Sequence, residues 1–224
     1  MSLEVKPWWN ENRIKWYERA SKCSDFHKKL TKAIESMISK DDTILELGCG
    51  LGYCTELLYK DGFCISAYDI DASVIEEARM RSGLDIFRQG DSYKLDDNAN
   101  TLLLVFFGKI TKGNNFDIFS KLANKTIIYV TGGGSLRHTS EKEVEEFLRG
   151  RRLRYEKQVQ TIAFHQPLED EIEVEEYLCS YYEGQTLEEK REKIKRLKSA
   201  RYKYILENNK KIAIFKIDVE GASN

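Results

Sequence analysis

The residues best suited to chemistry lie between Glu46 and Ser92. Gly48-Cys49-Gly50-Leu51-Gly52 closes an apolar run, and glycine lets a backbone turn tightly and meet a ligand with no Cβ in the way. The helix expected after such a turn would present free amides at its start. Glu46 stands just before the glycines, and Asp69 follows 23 residues later. At about that interval a strand-end carboxylate accepts hydrogen bonds from the two hydroxyls of an adenosine ribose. Gly90-Asp91-Ser92 adds an acid that can meet an adenine amine, although Gly-Asp-Ser is also ordinary turn chemistry. Turn, acid and second acid in this order point to an adenosyl ligand. Cys49, inside the turn, reads as small packing rather than a reactive thiol.

Such residues work only if strands and helices hold them. Thr43–Leu47 reads as a buried strand, Leu51–Tyr59 as a helix stopped by Gly62, and Phe63–Tyr68 as a second strand closed by Asp69. Ser73 and Glu76 have capping-box spacing for a helix running to about Arg81, and Asp85–Phe87 is a short third strand. Leu102–Phe107 is apolar throughout, as a strand covered on both faces must be. Phe116–Ala123 follows as a helix and Thr126–Val130 as a fifth strand. Ser140 and Glu143 then open a helix that buries Val144, Phe147 and Leu148. Beyond Gly150 come an extended run from Leu153 to Phe164, a charged helical pair from Glu169 to Ser199, and a hairpin of Tyr202–Leu206 with Lys211–Ile217. Two helical patterns precede the first strand, the first carrying Trp8, Trp9, Trp16 and Tyr17.

In this arrangement, and most closely in Leu45-Glu46-Leu47-Gly48-Cys49-Gly50-Leu51-Gly52, the chain resembles the class I S-adenosylmethionine-dependent methyltransferases from about Thr43 to Val130. The resemblance implies an α/β, Rossmann-like, doubly wound and mostly parallel seven-stranded sheet with an antiparallel C-terminal strand pair. It implies S-adenosylmethionine as cofactor, with Glu46 orienting the methionine amine and Gly48, Gly50 and Gly52 admitting the methionyl and ribose parts. Asp69 would hold the ribose and Asp91 the adenine, with Cys49, Ile70, Ser92 and Phe106 beside them. One domain over 1–224 is expected: a helical cap over 1–40, a cofactor-binding core over 41–150, and antiparallel strands over 151–218 with a helical insertion at about 169–199. The chemistry implied is in-line methyl transfer to a small-molecule acceptor. A catalytically silent partner protein of the same fold is the alternative, and a nicotinamide-dependent oxidoreductase a more distant one.

Charge separates the methyltransferase from the oxidoreductase. A dinucleotide site needs a third glycine where this chain has Tyr53, and Glu46 would set negative charge near a pyrophosphate. S-adenosylmethionine carries an ammonium and a sulfonium and no phosphate, so an acid beside the turn favours it. The acceptor should lie at the carboxyl ends of the fourth and fifth strands, near Phe106, Phe107, Lys109, Thr131 and His138, with Trp9, Trp16 and Tyr17 contributed by the cap. That cap either packs permanently or closes over the cofactor. His165-Gln166-Pro167 with Tyr177, Tyr181 and Tyr182 could line the pocket, and Gly132-Gly133-Gly134 could hinge beside it. Phe106-Phe107-Gly108-Lys109 replaces the Asn/Asp-Pro-Pro-Tyr of enzymes that methylate adenine bases or protein glutamine, which argues against those acceptors.

Composition sets the outer limits. A chain of 224 residues buries roughly 70% of its unfolded surface, and 41% hydrophobic with 33% charged residues excludes disorder. Lys and Arg total 36 against 37 Asp and Glu, so no overall field draws the chain to nucleic acid or membrane. The basic run Lys190–Lys203 beside the acidic run Glu169–Glu176 reads as an ion-paired solvated face. Five cysteines without a CxxC pair and three scattered histidines form no zinc framework. Free thiols and the lack of a signal-like N-terminus suggest the cytoplasm.

Overall fold

The apolar segments that read as buried strands all enter one sheet. The computed structural model describes residues 8–132, 139–198 and 201–220. Among them, strands β1 (Thr43–Leu47), β2 (Cys64–Asp69), β3 (Phe87–Gln89), β4 (Ala99–Val105), β5 (Ala123–Gly132), β6 (Tyr155–Ala163) and β10 (Asn209–Asp218) form a seven-stranded sheet in the order β3-β2-β1-β4-β5-β10-β6. β1 runs parallel to β2 and β4, β2 parallel to β3, and β4 parallel to β5, while β10 is antiparallel to β5. Strand order reverses between β1 and β4. That reversal leaves a crevice at the carboxyl ends of these two strands, the place where open α/β sheets take ligands.

Helices α3 (Tyr53–Lys60), α4 (Ala72–Ser82), α5 (Asn115–Ser120) and α6 (Glu141–Gly150) make the crossovers. Side chains alternate across β1, so Leu45 and Leu47 enter the core with Phe119 of α5 and Val144 and Leu148 of α6, whereas Glu46 points to the other face. Capping follows sequence at α6, where Ser140 and Glu143 form a capping box, but Phe147 is only half-buried. At α4 it does not. Asp71, not Ser73, is the N-cap and accepts from Ser73 N, because Asp69 already takes the Asp71 amide and draws the chain into the helix two residues early.

By packing, the chain forms two compact units, divided along other lines than cap, core and insertion. One comprises His27–Thr161 with the residues from Lys211 on, and so contains α2 (Phe26–Glu35, but for its first residue) with the large sheet. The other comprises residues up to Phe26 with Ile162–Lys210: α1 (Glu11–Cys23), α7 (Glu171–Tyr181), α8 (Gly184–Glu192) and a small sheet. That small sheet, β7-β9-β8 from Gln166–Leu168, Tyr204–Leu206 and Ile194–Arg196, is antiparallel throughout and replaces two expectations. The run to Ser199 leaves helix at Lys193. Tyr204–Leu206 does not pair with the last strand, because β10, apolar from Ile212 to Phe215 and buried on both faces, belongs inside the large sheet. Pro167 sits in an edge strand, where its missing N–H does no harm.

Within this smaller unit, Trp16 and Glu173 join α1 to α7. The Trp16 ring is 1% exposed, stands edge-on to Tyr177 with centroids 5.3 Å apart, and donates its indole N–H to Glu173 Oε1 at 3.1 Å. Arg19 donates to both Glu173 oxygens at 2.7 and 2.8 Å, and Glu173 Oε2 also accepts the Glu169 amide at 2.7 Å. Trp16→Ala should therefore remove both a buried aromatic and one donor to a buried acid. A loss of about 3–5 kcal/mol is expected in urea unfolding followed by α7 amide exchange. A change below about 1 kcal/mol would show that α1 is not integral to this unit.

Candidate functional site

A turn with three left-handed glycines cannot be held by its own residues alone, and here its neighbours hold it. Gly48, Gly50 and Gly52 have φ of 67°, 51° and 69°. The amides of Gly48 and Cys49 both donate to Tyr68 O, at 2.7 and 3.1 Å, at the end of β2. The amide of Gly50 donates to Asp69 Oδ2 at 2.9 Å. Gly52 begins α3 as an N-cap with no side-chain cap, so the helix start is open. A Cβ on Gly48 would collide with the Phe107 ring, and one on Gly52 with Phe87, so close packing as well as ligand access demands glycine at both.

Asp69 is half-buried. One carboxylate oxygen takes the Gly50 amide and the other the Asp71 amide at 3.0 Å, which fixes its orientation and leaves lone pairs on both for a diol. Burial raises its pKa above the usual carboxylate value in spite of these two amides. Glu46 is 2% exposed, between Ala67 and Leu103 in the centre of the sheet, and accepts a short hydrogen bond from the Thr55 hydroxyl of α3. Desolvation, with the nearby Asp69 charge, pushes its pKa up to about 7. Two acids under one turn, both reluctant to ionise, are a place where a cationic ligand group would be stabilised.

The remaining expected residues divide. Ile70, 67% exposed, stands at the open end of β2 beside Asp69. Asp91 is committed to its own turn, accepting from Tyr93 N at 3.1 Å and Lys94 Nζ at 2.9 Å, and these lower its pKa; Ser92 is half-buried next to it. Burial raises the Cys49 thiol well above its ordinary value, which disfavours the thiolate. Phe106, with φ of 52°, sits just past β4 and reaches Gly132 at the end of β5, while Phe107 covers Gly48 and meets Phe119 edge-on at 5.4 Å. Lys109 is half-buried, and its carbonyl accepts from Asn115.

Thr131, expected to face the acceptor, is buried, and its hydroxyl donates to the Thr139 carbonyl, tying strand end to helix entry. Trp16 is likewise buried structure, as are Tyr177 and Gln166. Trp9 and Tyr17 stand edge-on at 5.4 Å in the smaller unit, where Tyr17 also meets Phe164. His165 accepts the Asn208 amide at 3.1 Å through Nδ1. His138, Gly133 and Gly134 lie outside the described residues. Sequence reasoning missed Thr55 and Arg81, and took Tyr53 only as a departure from the dinucleotide motif. Thr55 lies nine residues after Glu46 on the next helix, a strand-turn-helix spacing that could have paired them. Tyr53, in the third-glycine position of a dinucleotide motif, is stacked on His27 at 4.6 Å and covered by the Arg81 guanidinium at 4.0 Å.

No protein-family model and no curated protein matches this sequence. Solved structures do match in fold. Magnesium protoporphyrin IX methyltransferase from Synechocystis, with bound S-adenosylhomocysteine, superposes with a TM-score of 0.54 at 12% identity, covering 92% of this chain and 87% of its own. The YcgJ protein of Bacillus subtilis gives 0.56 at 12% identity, covering 86% and 98%. A SAM-dependent methyltransferase from Thermotoga maritima gives 0.52 at 14% identity, covering 92% and 97%. Sheet order, glycine turn and these likenesses together establish that the chain has the fold of the class I S-adenosylmethionine-dependent methyltransferases.

Proposed function

We propose that this protein transfers a methyl group from S-adenosylmethionine to a small-molecule acceptor. The observation that carries the reading is Glu46, an acid buried beside the glycine turn with only the Thr55 hydroxyl to stabilise its charge among the described residues. A bound ammonium would supply the missing countercharge, whereas a pyrophosphate would add repulsion. Tyr53, locked between His27 and Arg81, fills the place where a dinucleotide motif keeps glycine. The residues present therefore fit the cofactor. Glu46 would meet its amine, the turn its methionyl part, Asp69 its ribose and Ile70 its adenine face.

S-adenosylmethionine supplies a methyl on a sulfonium, which a nucleophile displaces in line. Such a displacement needs orientation more than a dedicated acid or base, and orientation can contribute about 7–11 kcal/mol. Phe106 and Phe107, at the carboxyl end of β4, offer ring surface to an acceptor there. Balanced overall charge supports a small molecule over nucleic acid or membrane. Five free cysteines, and no helix among the described residues long and apolar enough to cross a membrane, support a cytoplasmic placement.

Two measurements test the site. Calorimetry with S-adenosylmethionine, S-adenosylhomocysteine, NAD and NADP should show binding of the first two alone, and Asp69→Asn should weaken S-adenosylhomocysteine by about tenfold through lost charge-assisted hydrogen bonds. Binding of dinucleotides only would overturn the cofactor reading, and an unchanged affinity in Asp69→Asn would remove Asp69 from the ribose site.

The second measurement is pH dependence. A ligand amine prefers the Glu46 carboxylate, and with a pKa of about 7 the ionised fraction falls as pH drops, so the dissociation constant at pH 6 should be about tenfold weaker than at pH 8. Without ligand the sign reverses. A folded pKa raised from 4.5 to about 7 gives stability that is complete below the unfolded value and lost as pH rises through 7. Glu46→Gln should thus raise Tm at pH 8, by up to about 3 kcal/mol of stability, have little effect at pH 5, and flatten the binding profile. Parallel pH profiles for the two proteins would show that Glu46 does not titrate in this range.

A further inference from the structure

The glycine turn has one anchor that comes from neither flanking strand. Arg81, at the end of α4, donates from Nη2 to the Leu51 carbonyl at 2.8 Å, in the middle of Gly50-Leu51-Gly52. Its Nη1 makes an ion pair with Glu56 of α3, and its guanidinium carbon lies 4.0 Å from the centre of the Tyr53 ring. One planar group thereby reaches the turn, the first residue of the following helix and an acid in that helix's first turn. The side chain is 16% exposed, so these bonds are only partly shared with water.

The other anchors restrain the first part of the turn: Tyr68 O holds Gly48 and Cys49, and Asp69 holds Gly50. Among the described residues, the hydrogen bonds from β2 go to Gly48, Cys49 and Gly50 rather than to Leu51. Left to itself, a peptide between two left-handed glycines has many alternatives, since glycine loses more freedom on ordering than any other residue. A donor at Leu51 O selects one of them before a ligand arrives, and a pre-ordered site binds more tightly than one ordered by its ligand. Lysine could not do the same, because an ammonium is a point charge without the fork that serves two acceptors and stacks on a ring.

We propose that Arg81 is a positioning residue for the cofactor turn: it holds the Leu51 carbonyl and the Tyr53 ring so that the backbone of Gly50–Gly52 is already shaped for the ligand. The proposal rests on the cofactor reading above for its effect on affinity, but not for its effect on the turn. Arg81 touches no reacting atom and acts through Leu51.

The test compares Arg81→Gln, Arg81→Lys and Glu56→Gln in the full chain, by calorimetry with S-adenosylhomocysteine and by amide exchange of Gly50 and Gly52 without ligand. In Arg81→Gln the dissociation constant should rise by about five- to tenfold and the two turn amides should exchange faster, with β4 and β5 amides unchanged. Arg81→Lys should fall between. Glu56→Gln removes the ion pair but leaves the Leu51 bond, and should keep affinity within about twofold. Equal losses in Arg81→Gln and Glu56→Gln would mean that the arginine serves helix packing only, and would overturn the proposal. Unchanged turn exchange in Arg81→Gln would overturn it too. If the wild-type chain bound no S-adenosylhomocysteine, the cofactor reading would fall separately, and faster turn exchange in Arg81→Gln would still support the anchoring role.

Discussion

Everything at the candidate site depends on keeping three left-handed glycines in one conformation. Glycine permits the turn without choosing it. The choice is made by acceptors and donors fixed elsewhere: Tyr68 O and the Asp69 carboxylate at the end of β2, and the Arg81 guanidinium from α4. The parallel pairing of β1 with β2, in register from Thr43 with Cys64 to Leu47 with Tyr68, sets Tyr68 and Asp69 beside the turn. The sheet is therefore part of the site. Slipping that register by one residue would turn Asp69 to the other face.

Charge placement follows from the same register. The alternation that sends Leu45 and Leu47 into the α5–α6 core sends Glu46 to the α3 face, where the Thr55 hydroxyl donates to it. A carboxyl there is tolerable when protonated and useful when a cation arrives, which is consistent with its raised pKa. Asp69, more exposed and held by two amides, suits a neutral diol. Two acids under one turn thus have different tasks because they have different burial.

The smaller unit uses charge differently. Glu173 is almost as buried as Glu46, yet Arg19, Trp16, Lys15 and the Glu169 amide surround it, and despite burial its pKa is lowered. A saturated acid of this kind is structural. The basic run beyond it is partly neutralised as well, with Arg191 paired to Glu175 and Lys195 to Glu207 at 2.6 Å.

Local pattern alone determined the strand-turn-helix of Thr43 to Lys60, the acid closing β2, the doubly buried β4 and the capping box of α6, because each depends on residues within a few positions of one another. Glu46 and Asp69 were legible for the same reason. Long-range pairing decided the rest. That β10 leaves Tyr204–Leu206 to enter the large sheet depends on which strand can bury Ile212 to Phe215 on both faces, and adjacency in sequence is no guide to that. Trp16 looked like a pocket residue until Glu173, 157 positions away, accepted its N–H. Thr131 looked like one until the Thr139 carbonyl took its hydroxyl. Arg81, 30 residues beyond Leu51, gives no sign in the sequence of the carbonyl it holds, since surface helices end in arginine for many reasons and only the packing of α4 against the turn selects this one.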